Sequence, residues 1–211
     1  LLASAGAFGT FIYGFLERLL IPTGLHHILN QLIRFTPIGG TAEIDGQQVS
    51  GALNIFNTLL MQQNPDMDVM RQATRFLTQG THPFMVFGLP AACYAMYKTA
   101  YPQNREKAKG ILLAAGLTSF FTGITEPIEF SFIFISPLLW VFHAFMAGTS
   151  FLINTFLGVC IGNAGGGLVD LMLFGVLRGP QTKWILNVAV GLVYAVIYYN
   201  VFKWAIVKFN I

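Results

Sequence analysis

The chain of 211 residues is 55% hydrophobic and only 10% charged, with a formal net charge of +3. Soluble domains average about 25% charged residues, so this deficit, together with apolar runs of spanning length, excludes an ordinary water-soluble domain and points to a bilayer. The basic residues are scattered through loops and helix ends, the pattern of a polytopic membrane protein, which excludes a nucleic-acid-binding surface.

Residues 1–16 read as the end of a membrane helix and lack the basic region and cleavage site of a signal peptide. With no initial Met, the chain is expected to be part of a larger protein. Glu17 and Arg18 follow, then Pro22 and Gly24 break the run just before His26 and His27. Residues 28–35 are short and amphipathic. From Thr36 to Gln79 the chain turns polar, with Gly39-Gly40, Asp45-Gly46 and Asn64-Pro65-Asp66 as turn signals, and reads as a hydrated insertion with one or two short helices. Pro90 interrupts the apolar stretch from Pro83 to Met96, which predicts a broken or re-entrant helix. Lys98 to Lys109 is a compact basic loop, placed on the cytoplasmic side by the positive-inside rule.

Ile111 to Gly123 is too short to span about 30 Å at about 1.5 Å per residue, and predicts half of a hairpin that dips into the membrane and returns. It leads into Gly123-Ile124-Thr125-Glu126-Pro127-Ile128-Glu129-Phe130. Residues 130–157 predict one tilted span, with Pro137 inside it. Gly162 to Asp170 is a glycine-rich break. Trp184 to Phe202 predicts a spanning helix edged by Lys183 and Lys203, with Trp184, Tyr198, Tyr199 and Trp204 as interface anchors. Cys93 and Cys160 are expected to be reduced packing residues. The fold class predicted is an all-α membrane protein, a polytopic helical bundle with re-entrant or broken helical hairpins around a midplane site.

Chemistry concentrates where the carboxylates interrupt this apolar pattern. An ionisable group at membrane depth costs about 2.5–3.5 kcal/mol on insertion scales and persists where it faces a cavity or a substrate. Pro127 forbids an ordinary helix through this point, and non-helical backbone at that depth must be buried in protein or line a wet cavity. Glu126 suits hydroxyl recognition and general-base catalysis, although a carboxylate there also caps a helix. Glu129, one turn on, is expected to face roughly the same side as a substrate contact or its supporting partner. Adjacent histidines on a broken helix are expected to point to different sides, which leaves one of His26 and His27 for the site. Arg18 carries a guanidinium suited to phosphate. His82 is expected to edge the cavity and His143 to be a satisfied core residue, while Asn163 and Asp170 receive no role. No third ligand accompanies the histidine pair at metal-binding spacing, so no metal and no cofactor is expected.

Four ordered blocks carry a family likeness: ERLLIPTGLHH (Glu17 to His27), FGLPAA (Phe87 to Ala92), PQNREKAKG (Pro102 to Gly110) and GITEPIEF (Gly123 to Phe130). The chain resembles the membrane subunit, enzyme IIC, of glucose-superfamily phosphotransferase-system (PTS) sugar transporters. That resemblance implies a sugar permease of the bacterial cytoplasmic membrane that presents a 6-hydroxyl for phosphorylation by the phosphocysteine of enzyme IIB. It implies Thr125 and Glu126 as sugar ligands and His26 in the phosphorylation step. It also implies a lipid bilayer and a homodimer built by an amino-terminal half which, like the enzyme IIB domain, lies outside this sequence. The substrate-binding residues expected are thus Thr125, Glu126, Glu129 and His82, and the phosphoryl-transfer residues His26, Glu126 and Arg18. Arg34 to Phe56 and ATRF (Ala73 to Phe76) look like the maltose and glucose branch, with maltose first, glucose second and N-acetylglucosamine the alternative. IGNAGGG (Ile161 to Gly167) resembles the maltose-type block without its usual acidic or threonine residues. A non-phosphorylating secondary sugar transporter is the alternative of another class; it requires a coupling-ion site and leaves Arg18 and His26 idle.

Overall fold

In a computed structural model that describes residues 6–210, the chain is almost entirely helical. Helix α1 (Gly6–Leu19) ends where Pro22 enters a single 3₁₀ turn, Ile21–Thr23, closed by Gly24 at φ +72°. Helix α2 (His26–Phe35) restarts directly after that left-handed residue. Residues 1–5, the start of the predicted first helix, lie outside the described part.

The polar stretch holds more structure than the expected loop with short helices. Strand β1 (Thr41–Ile44) pairs antiparallel with β2 (Gln47–Ser50), Ala42 facing Val49. Asp45 and Gly46 both have positive φ, the geometry that an Asp-Gly hairpin turn requires. Helix α3 (Ala52–Leu60) buries Leu53, Ile55, Phe56 and Leu59, so this stretch reaches the core instead of lying wholly in water. Helix α4 (Met67–Thr74) is capped by Asp66, whose Oδ1 accepts from Asp68 N at 2.8 Å and Val69 N at 3.2 Å.

A π-helical segment, Pro83–Gly88, runs on into α5 (Leu89–Thr99). Pro90 therefore does not end the element: its missing donor falls at the junction of the wider turns, where one fewer hydrogen bond is tolerated. Helix α6 (Arg105–Thr122) begins inside the basic loop and ends at Gly123, φ +75°, whose N–H returns to Ser119 O at 3.0 Å. Helix α7 (Glu126–Ile133) follows, with Pro127 in the first turn, where its missing donor costs nothing.

The single span predicted over residues 130–157 is two elements. Pro137 keeps Ser136 out of the helical region (φ −138°, ψ 89°), so α7 stops at Ile133 and α8 (Pro137–Leu157) starts afresh. After an irregular glycine-rich segment, the short α9 (Leu168–Asp170) runs into a π turn, Leu171–Val176. Helix α10 (Trp184–Phe209) is 26 residues long and passes beyond its predicted edge at Lys203.

Two described helices, α8 and α10, are long and apolar enough to cross a membrane. Helix α10 turns one face inward, Asn187, Gly191, Tyr194, Tyr198, Phe202 and Ala205, at steps of three or four. Leu192, Val193, Val196 and Val207 stand exposed on the other side. The core between them is aromatic: Tyr13 packs edge-on against Phe76 and Phe151, with centroids 5.6 and 5.2 Å away, and Phe132 against Phe202 at 5.1 Å. Helices α1 and α8 cross closely because glycines meet there. A Cβ on Gly14 would sit 2.9 Å from Ala147 O, and one on Gly148 would sit 2.8 Å from Phe11 O. Cys93 and Cys160 are free and buried, as expected.

Candidate functional site

The end of α1, the start of α2 and the α6–α7 junction converge, with Ala164 and Gly165, on a cleft of about 250 Å³. Glu17, Arg18, His26, His27, Asn30, Arg34, Met85, Thr122, Gly123, Ile124, Thr125 and Glu126 complete its lining. Gly123 makes the sharp turn, and α7 then starts with its N-terminus at the cleft. A larger groove of about 450 Å³ beside α5 and α6 offers Lys109 as its one charged lining residue and no carboxylate, so the polar chemistry belongs to the first cleft.

Two carboxylates three residues apart have opposite surroundings. The Glu126 side chain is 37% exposed, and its Oε2 accepts from Thr125 N at 3.1 Å. Its Oε1 lies 3.9 Å from His26 Nε2. Glu129 is fully buried, and its Oε1 receives Arg18 Nη1 and His143 Nε2, each at 2.9 Å.

Arg18 is held on several sides. Its Nε and Nη2 make a paired contact with the Glu17 carboxylate at 2.9 and 2.8 Å, and Nη1 also donates to Thr125 Oγ1 at 2.9 Å. The guanidinium lies over the Phe84 ring, 5.0 Å from its centroid. Behind Glu129 the chain of bonds continues: His143 Nδ1 lies 2.7 Å from Tyr198 Oη. A carboxylate only accepts, so Nε2 of His143 carries a proton and donates to Glu129. On the other flank, Tyr13 Oη donates to Asn30 Oδ1 at 2.6 Å, and Asn30 Nδ2 reaches Glu17 Oε1 at 3.3 Å.

Of the residues expected at the site, Arg18, His26, Thr125 and Glu126 line the cleft together. Arg18 is only 4% exposed, with its donors turned to Glu17, Glu129 and Thr125. Glu129 and His82 do not reach the lining. Arg18 and His143 draw Glu129 inward, and His82 is buried at the entry to the Pro83 segment, both ring nitrogens without a hydrogen-bond partner. The two histidines do not diverge as expected. Both line the cleft, with ring centroids 3.9 Å apart and planes inclined at 37°, because side chains in a first helical turn lean back toward the N-terminus. Burial first, and the charges of His27 and Arg18 second, hold the His26 pKa below its ordinary value.

Sequence reasoning passed over Asn30, Arg34, Met85, Ala164 and Gly165. Asn30 was within reach: it stands four residues after His26 on an amphipathic helix, hence on the same face. Ala164 and Gly165 carried no local signal. Their loop is fixed by Asp170, whose Oδ2 accepts from Gly165 N at 2.7 Å and Gly166 N at 3.0 Å.

The sequence matches the family described as "Phosphotransferase system, EIIC" over residues 1–148. The chain belongs to this family, the membrane permease components of phosphotransferase systems. It is 47% identical over 208 residues, 99% of its length, to the "PTS system maltose-specific EIICB component" of Escherichia coli (strain K12). The chain spans 39% of the length of that relative.

Proposed function

We propose that this chain is the sugar-binding part of a PTS sugar permease of the bacterial cytoplasmic membrane, taking maltose or a related glucoside. The observation that carries the reading is the contrast between the two carboxylates: Glu129 is locked by Arg18 and His143, while Glu126 is part-exposed in a cleft with His26 3.9 Å away. At about 250 Å³ the cleft is slightly smaller than the usual small-molecule pocket, a size that suits one pyranose ring.

In this reading Glu126 accepts hydrogen bonds from the sugar and takes the proton of the 6-hydroxyl as its oxygen attacks the phosphorus of the enzyme IIB phosphocysteine. The oxygen–phosphorus bond forms, the sulfur–phosphorus bond breaks, and the thiolate leaves. His26 orients the hydroxyl, and Thr125, the residue just before α7, stands beside it. Positioning and charge stabilisation supply most of the catalysis in phosphoryl transfer, which agrees with so short a polar inventory. Arg18 sets Thr125 and Glu129 in register. The α6–α7 turn forms a re-entrant hairpin, the basic loop preceding α6 faces the cytoplasm, and a dimer forms through parts of the protein outside this chain. The maltose preference rests on the 47% identity to the maltose-specific relative.

The test is sugar-6-phosphate formation from radiolabelled maltose and glucose by membranes holding the full-length protein, with phosphorylated enzyme IIB supplied. Formation with maltose, lost in Glu126→Gln, is expected. Uptake of unmodified sugar without phosphorylation would overturn the phosphotransferase reading.

A further inference from the structure

The histidine pair and the free carboxylate do more than line a sugar cleft. His26, His27 and Glu126 each offer one ligand atom, and all these atoms lie within 4.8 Å of one another. We propose that they form a binding site for a divalent transition-metal ion of the zinc class, and that the bound ion competes with sugar. The second half rests on the reading of Glu126 as a sugar ligand.

Two imidazoles and a carboxylate make up a donor set that zinc accepts, with ligands about 2.0–2.2 Å from the ion and a fourth position left for water or substrate. Such ligands select zinc, copper or nickel over magnesium and calcium, which take oxygen ligands. The closing movement required is small. His26 is buried and fixed, but His27 is exposed and Glu126 half-exposed, so both are free to turn toward the ion. A second observation points to a ligand: His26 Nε2 faces Glu126 Oε1 at 3.9 Å, beyond hydrogen-bond reach, and Nδ1 is buried with no partner, so neither nitrogen of that ring is engaged. The charges agree as well. Glu17 and Glu126 in the lining, with Glu129 behind them, outnumber Arg18 and Arg34, so the surroundings carry a net negative charge that a dication offsets. The fourth position opens into the cleft, so an ion held there occupies the carboxylate that the sugar requires.

The experiment titrates the full-length protein, purified in detergent, with Zn²⁺ alone by calorimetry and with Co²⁺ followed by its visible spectrum. One equivalent is expected to bind, with the intense absorption of a tetrahedral cobalt site. Outer partners of metal ligands already alter affinity about 10–100-fold, so His27→Ala is expected to weaken binding by at least about 100-fold and to remove the cobalt band. His27 is exposed, and an unchanged size-exclusion profile verifies the fold; His27→Gln serves if alanine disturbs it. Absence of binding, or equal binding by wild type and both variants, overturns the site. Zinc is further expected to raise the apparent maltose Kd in wild type but not in His27→Ala. Metal binding that depends on His27 yet leaves the maltose Kd unchanged upholds the site and overturns both the competition and the role of Glu126 toward sugar.

Discussion

Arg18 shows how much a single side chain is asked to hold. It pairs with Glu17 and Glu129 and donates to Thr125, all at 2.8–2.9 Å and nearly out of contact with solvent. Removing one partner of such a buried network leaves charge uncompensated, at a cost of about 3–5 kcal/mol. Arg18→Met is therefore expected to lower the thermal unfolding temperature of the detergent-purified protein sharply. Arg18→Lys is expected to recover little, because an ammonium cannot reproduce the planar two-pronged contact. Glu126→Gln is expected to leave that temperature nearly unchanged while abolishing sugar phosphorylation, since its carboxylate makes no buried ion pair. Comparable thermal losses in Glu126→Gln and Arg18→Met would count against this separation. The presence of two carboxylates was legible in the sequence; their division was not. The partner that selects Glu129 stands 111 residues earlier in the chain, and no local pattern encodes that meeting.

At the scale of elements, the α6–α7 junction depends on backbone that only glycine adopts easily. Gly123 has φ +75°, and a Cβ there would approach Gly167 N to 2.7 Å. Left-handed backbone costs a side-chain-bearing residue about 1–2 kcal/mol, and overpacking adds about 1–3 kcal/mol. Gly123→Val is expected to push apart the two loops that wall the cleft, raising the Kd for maltose at least about tenfold, with helix content by circular dichroism unchanged. An unaltered Kd would show that the loops are not coupled. The Asp45-Gly46 turn and the interruptions at Gly123 and Pro127 were legible, because each rests on a backbone property of one residue, whereas the next helix was expected from 130 and starts at Glu126. The Pro137 break was legible in principle, but the uninterrupted apolar composition on both sides outweighed it. Hydropathy measures the medium around a segment, and two short helices have the same composition as one long one. The burial of α3 was masked in the same way by the polar residues around it.

The whole molecule places its polar groups inward and leaves the outside of α10 bare. Val196 is 62% exposed on that face, with Val193 at 57% beside it. A basic residue near the middle of a spanning helix costs about 2.5–3.5 kcal/mol on insertion scales, so Val196→Arg is expected to reduce the membrane-inserted fraction severalfold in a fractionation assay. Tyr198→Phe on the opposite face is expected to leave insertion intact and to lower stability by about 1–3 kcal/mol, since it leaves buried His143 Nδ1 without its hydrogen-bond partner. Equal insertion of Val196→Arg and wild type would place this face against protein or water.

The hydrogen-bonded line from the cleft to α10 also has a direction. Tyr198 is bonded to His143, His143 donates to Glu129, and Arg18 donates to Glu129 from the cleft side. A proton wire needs every member to accept from one neighbour and pass to the next, whereas this line converges on one carboxylate from both ends. Its member nearest the cleft, moreover, never releases a proton. Arg18 is thus a stopper: a proton set free when a hydroxyl reacts at Glu126 has no route along this line toward α10, and must leave through the open cleft itself.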